Sequence, residues 1–206
     1  MSNKISRRAF LKVTGASALA IGAASMLGGC QSGGSSVEVK VGDKISNWND
    51  LAVQLTSVFT LADAPDVPGK KYIAVLVTAA NRSKTQTMNI GASNIEEINA
   101  AYPLTDEASK AANTASYFHA LSASTSDFTA SVDGQTTEVG AYVSLYDSAT
   151  ESFSDAAALP PQGTGYIELV CLAPADWQEL TVTYTPAFLS GKSLTFVMKA
   201  SDVTNS

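Results

Sequence analysis

Cys30, Cys171 and His119 are the residues of this sequence best suited by type to chemistry, and their settings differ. Cys30 ends Leu27-Gly28-Gly29-Cys30, which reads as a lipobox whose cysteine becomes lipidated. Ahead of it, Arg7 and Arg8 read as a twin-arginine export motif and Val13 to Met26 as a weakly apolar h-region. Four basic and no acidic residues precede the cysteine. The apolar run is about 15 residues, rich in Ala and Gly, whereas a spanning helix needs roughly 20 strongly apolar residues. Residues 1–29 are therefore expected to be a cleaved signal peptide. Residues 30–36 are expected to be the lipidated cysteine with a flexible tether, Gln31-Ser32-Gly33-Gly34-Ser35-Ser36. Each buried lipid methylene contributes about 0.8 kcal/mol, and two chains exceed the regime of marginal binding. The expected partner of Cys30 is thus the cell membrane, at its extracytoplasmic face.

With Cys30 consumed, Cys171 has no partner for an internal disulfide, and the fold must hold without one. It lies in Tyr166-Ile167-Glu168-Leu169-Val170-Cys171-Leu172, where a free cysteine behaves as a small buried hydrophobe. A catalytic thiol is the alternative, but His119, the only histidine, is distant in sequence and nothing ties the two together. There is no Ser-His-Asp arrangement with recognisable flanks, no phosphate loop and no zinc spacing. No catalytic residue, cofactor or metal ligand is assigned. Carboxylates are more plentiful: Asp63 with Asp66, Glu96 with Glu97, and Asp106 with Glu107 are each either solvated charge or part of an oxygen-only calcium site. None matches a twelve-residue EF-hand loop. Trp48, Tyr102, Tyr117, Phe118, Tyr142, Tyr146, Phe153 and Trp177 fall partly in loops or near strand ends. Exposed aromatics there favour sugars or protein partners, but core packing is the default expectation, and the two tryptophans are assigned to the core or its rim.

Once residues 1–29 leave, 9 basic side chains face 19 acidic ones, a net charge of −10. Such a surface repels phosphate backbones, and no basic run exceeds Lys70-Lys71, so nucleic acid is excluded as a partner.

The elements that must carry these residues are mostly strands. Period-two, β-branched patterning marks nine: 37–41, 51–59, 72–77, 87–90, 128–132, 141–146, 166–172, 180–184 and 194–198. Turns separate them at 65–69, Asp133-Gly134, 160–163 and 190–192. Asp133-Gly134 between alternating runs predicts a type I′ hairpin. An insertion at 91–126 breaks the rhythm. Thr105 or Asp106 caps a helix in it that runs to Leu121, with Ala111, Ala112, Ala115, Phe118 and Leu121 at helical spacing, and Ser122 to Asp127 follow as a loop. The helix is expected either to close one end of a two-sheet sandwich or to act as a binding lid. Residues 37–206 form one domain, long enough to bury roughly 68 to 70% of the unfolded surface.

The order of Val41-Gly42-Asp43, Thr56-Ser57-Val58, Pro68-Gly69-Lys70 through the Val-rich run to Asn81-Arg82-Ser83, Leu159-Pro160-Pro161-Gln162-Gly163-Thr164-Gly165-Tyr166, Ala173-Pro174, and Leu180 to Pro186 resembles the immunoprotective extracellular immunoglobulin-like domain of bacterial surface lipoproteins. The resemblance spans residues 37–199. It implies an all-β fold, an immunoglobulin-like antiparallel β-sandwich with a short helical insertion, and no catalytic residues. The chain departs from that family in the insertion and in carrying Pro161-Gln162-Gly163, where Pro-Gly is commoner. The functional expectation is a lipid-anchored, extracytoplasmic binding or structural module that is not an enzyme and whose ligand is a protein or envelope component. The alternative is a lipoprotein that binds a small polar solute or calcium.

Overall fold

A computed structural model describes residues 36–61, 64 and 67–204. Three of the sequence-derived features, Arg7, Arg8 and Cys30, lie outside these residues, as do Asp63 and Asp66. The chain runs β1 (Ser36–Lys40), β2 (Lys44–Trp48), β3 (Leu51–Thr60), β4 (Lys70–Asn81), β5 (Met88–Asn89), α1 (Ile95–Ala101), α2 (Glu107–Ser124), β6 (Phe128–Val132), β7 (Gln135–Thr137), β8 (Val139–Asp147), β9 (Ser152–Ala156), β10 (Ala158–Leu159), β11 (Thr164–Pro174), β12 (Glu179–Tyr184) and β13 (Ser193–Lys199). These make a six-stranded sheet, β2-β3-β4-β11-β8-β9, a five-stranded sheet, β1-β13-β12-β6-β7, and a two-stranded ladder of β5 with β10. All pairings are antiparallel except β1 with β13. The β-sandwich expected from patterning is therefore the fold.

Alternation explains why the two sheets close on each other. Ile73, Val75, Val77 and Ala79 of β4 point inward with Ile167, Leu169 and Cys171 of β11, and they meet Val182, Tyr184, Leu194 and Phe196 of the other sheet in one apolar core. In β3 the parity changes: Leu55 pairs with Val77 but Ser57 with Leu76, so one extra residue lets both Leu55 and Val58 face inward. The Asp133-Gly134 hairpin has positive φ at both positions, 49° and 78°, as a type I′ turn demands. Trp48 and Trp177 are core residues.

Close approach fixes Gly165, which pairs with Ala79 on one side and Leu145 on the other. A Cβ there would stand 2.2 Å from the Ser144 carbonyl oxygen. Asn81, at the end of β4, is buried and ties the β4–β5 loop to the end of β10 and the turn after it: its Nδ2 donates to the carbonyls of Gln86 (2.7 Å), Leu159 (3.0 Å) and Pro160 (3.1 Å), while its Oδ1 accepts from the Ser83 N–H. In the Pro160–Gly163 turn Gln162 takes the positive φ, 57°, and its side chain donates to the Arg82 and Ser83 carbonyls at 2.7 and 3.1 Å. Those bonds offset the cost of a non-glycine residue in the left-handed region.

The insertion departs from expectation in its number of helices, in where the longer one ends, in the surface that helix covers and in the residues it buries. It holds two helices, because Asn94 caps a short one by accepting the Glu96 N–H. As the sequence predicts, Asp106 caps the longer helix: its carboxylate accepts from the Ser109 N–H at 2.8 Å, a bond that holds the carboxyl below its usual range, while Ser109 Oγ accepts from the Asp106 N–H. That helix continues to Ser124 through residues expected to be loop, since Ser93 Oγ and Thr125 Oγ1 both donate to the Leu121 carbonyl and stabilise the last turn. Finally, it covers the outer face of the six-stranded sheet instead of one end of the sandwich: Phe118 meets Tyr72 edge-on at 5.4 Å, in one cluster with Ile98, Leu121 and Val170. The buried stripe is Thr114, Phe118 and Leu121, and Ala111, Ala112 and Ala115 face solvent. Alanine presents too little apolar area to orient a helix against the pull of a phenylalanine and a leucine.

Candidate functional site

The outer face of the six-stranded sheet carries side chains of the opposite parity to the core. On β11 these are Tyr166, Glu168, Val170 and Leu172. The half around Val170 lies under α1 and α2, and the other half gathers Phe59, Ala74, Leu76 and Tyr166 with the partly buried Phe153. Between the two clusters sits Glu168, only 5% exposed. Its cross-strand partner is Tyr142 of β8, whose hydroxyl donates a short hydrogen bond to Oε2, and Ser144 Oγ donates to Oε1 at 2.9 Å. A buried carboxylate is tolerable only with such donors, and both come from one neighbouring strand at alternate positions.

Beside this seam an aromatic row begins. Phe153 of β9 pairs in register with Tyr146 of β8, their ring centroids 5.1 Å apart, and lies 5.4 Å from the Tyr166 ring. Tyr146, Phe153 and Tyr142 are half-buried, whereas Tyr166 is buried behind them. Burial first, and the charge of Glu168 second, push the Tyr166 hydroxyl above the usual phenol range. The arrangement offers the ring faces of Tyr146 and Phe153 to a partner, while Glu168 beneath them holds the Tyr142 and Ser144 hydroxyls in place.

The residues singled out in the sequence are not brought together. Cys171 is fully buried in the core, where loss of hydration pushes its thiol up to about 12. His119 lies exposed on α2, its Nδ1 3.6 Å from Glu138 Oε1, far from any thiol contact. Glu96 and Glu97 are exposed in the first turn of α1. Among the described residues, no three His, Cys, Asp or Glu side chains stand close enough to share a metal ion. Also among them, no helix is long and apolar enough to cross a membrane. Of the sequence-derived aromatics, Tyr142, Tyr146 and Phe153 converge on one face, and Phe118 is buried under its helix. Glu168 was the residue missed: one acidic residue at an outward position of a seven-residue apolar run is its signal.

No family model matches the chain, and no curated protein is detectably similar to it. Its fold is similar to that of an uncharacterized β-sandwich protein from Clostridium difficile 630, at 14% identity and a TM-score of 0.44, over 80% of this chain and 95% of that one.

Proposed function

We propose that this chain is an exported, lipid-anchored binding module of the immunoprotective extracellular immunoglobulin-like type, engaging a protein or envelope glycan through Tyr146 and Phe153, which are backed by the buried Tyr166 and Glu168. The aromatic row supports this reading: three rings in contact, two of them half-buried, belong to an outer-face cluster separate from the one that Phe118 and Leu121 cover. Rigid aromatics offer large contact area at low entropic cost. The test is binding of the full exported chain to isolated envelope material. Replacing Tyr146 and Phe153 together with alanine is expected to weaken binding about thirtyfold, the effect of losing about 2 kcal/mol from aromatic anchors. Unchanged binding refutes the assignment. A rise in Tm with calcium that a chelator abolishes, with no envelope binding, favours the solute- or metal-binding reading instead.

Membrane attachment has its own test. Cys30→Ala is expected to leave the sandwich folded and move the protein to the soluble fraction. Retention of that variant in membranes refutes the lipid anchor.

A further inference from the structure

We infer that the loop joining β12 to β13, residues 185–192, rests in the headgroup layer of the membrane and orients the sandwich there through Phe188. This rests on the proposed lipid at Cys30. Two observations bring the loop to the bilayer. Ser36, where β1 begins, pairs with Ser193, so the tether leaves the sandwich at the end that carries this loop. Six residue steps separate Cys30 from Ser36, a reach of at most roughly 20 Å when fully extended.

The loop is built to present an apolar tip. Among the described residues, Phe188 is the exposed large hydrophobic side chain, at 45%. Successive tight turns hold it, with the Leu189 N–H donating to the Pro186 carbonyl at 3.0 Å and the Lys192 N–H to the Leu189 carbonyl at 3.3 Å. Asp127 braces the entry by accepting the Ala187 N–H at 3.1 Å, and Leu189 packs back on the core. Lys192 Nζ donates to Asn49 Oδ1 at 3.0 Å and so ties the loop to the β2–β3 turn of the other sheet. A phenylalanine held outward on a fixed loop suits the boundary between headgroups and acyl chains. Charge agrees. The strand registers put Arg82, Lys84 and Lys192 at this end against Asp50, Asp127, Asp147 and Glu151, close to balance, while most of the acidic excess lies elsewhere. The near-neutral end can approach lipid that the rest of the surface would be repelled from.

The experiment places an environment-sensitive fluorophore on Ala187→Cys in the full lipidated chain, reconstituted in phosphatidylcholine vesicles. Cys171 is buried and does not compete for the label. The vesicle-bound label is expected to be shielded severalfold from aqueous iodide, and Phe188→Ser is expected to abolish the shielding while the protein stays on the vesicles. A label on Ser201→Cys, at the opposite end, is expected to remain open to iodide. Vesicle-bound protein with equal quenching at 187 whether or not Phe188 is present overturns the inference and leaves the lipid anchor standing. Protein that fails to float with vesicles overturns both. Shielding that appears without vesicles and grows with protein concentration assigns the loop to a second copy of the chain, and overturns the inference too.

Discussion

Glu168→Ala is expected to destabilise the protein by about 3 kcal/mol and to lower Tm by about 10 °C. The carboxylate accepts the hydroxyls of Tyr142 and Ser144 in a site almost closed to water, and alanine would leave both donors with a lost charged partner and a void. Hydrogen bonds to a charged group contribute about 1.5 to 3 kcal/mol each in such settings, and partial relaxation keeps the sum near the figure given. The origin of the effect can be separated from the loss of volume. The triple replacement Glu168→Leu, Tyr142→Phe and Ser144→Ala removes the donors together with the acceptor, and is expected to recover most of the loss, because an apolar seam needs no partners. Urea unfolding of the single and triple variants checks this. A single variant within about 0.5 kcal/mol of the parent shows that the seam is not a stabilising network.

Alkali is expected to cost this fold about 4 kcal/mol through one side chain. Burial raises the Cys171 thiol from 9.0 to about 12, so between these values the folded chain keeps a proton that the unfolded chain has released. Stability therefore is fully present below pH 9.0 and falls as pH rises toward about 12, by about 1.4 kcal/mol per pH unit. Tyr184, Tyr166 and Tyr72 are raised as well, chiefly by burial, and act in the same direction over a more alkaline range. Cys171→Ala is expected to be less stable at neutral pH, because it opens a small cavity, yet to lose less on going to alkali. Denaturation midpoints at neutral pH and above pH 9.0 measure both slopes. Equal slopes for parent and variant would show that the thiol does not govern the loss.

The strands legible in the sequence were those whose two faces differ or are both buried. β4, β8 and β11 stand out because β-branched and aromatic residues fill them, and β6, Phe128–Val132, has the bounds its alternation predicts. Those not foreseen are β2, β7, β9 and the two-residue β10. β2, β7 and β9 are sheet edges, where one side meets water and Ser, Asn, Gln and Thr dilute the pattern. The bulge in β3 was hidden for another reason: unbroken alternation from Leu51 to Phe59 reads as one register, and only the pairing with β4 reveals the change of parity. Phe118 and Leu121 foretold a helix but not which surface it would cover, since Tyr72 and Val170 complete that contact from distant strands. For the same reason the aromatic row was visible only as scattered names. Tyr146, Phe153 and Tyr166 are brought together by strand pairings that composition does not encode.

The pairing of β1 with β13 also sets how the sandwich carries load. A pull on residue 36 runs along the strand, and the five side-by-side pairs from Ser36 with Ser193 to Lys40 with Val197 lie across that direction. They must slip together instead of parting in turn. Tension entering at residue 36 is thereby spread over a whole ladder, and the first strand acts as a shear joint.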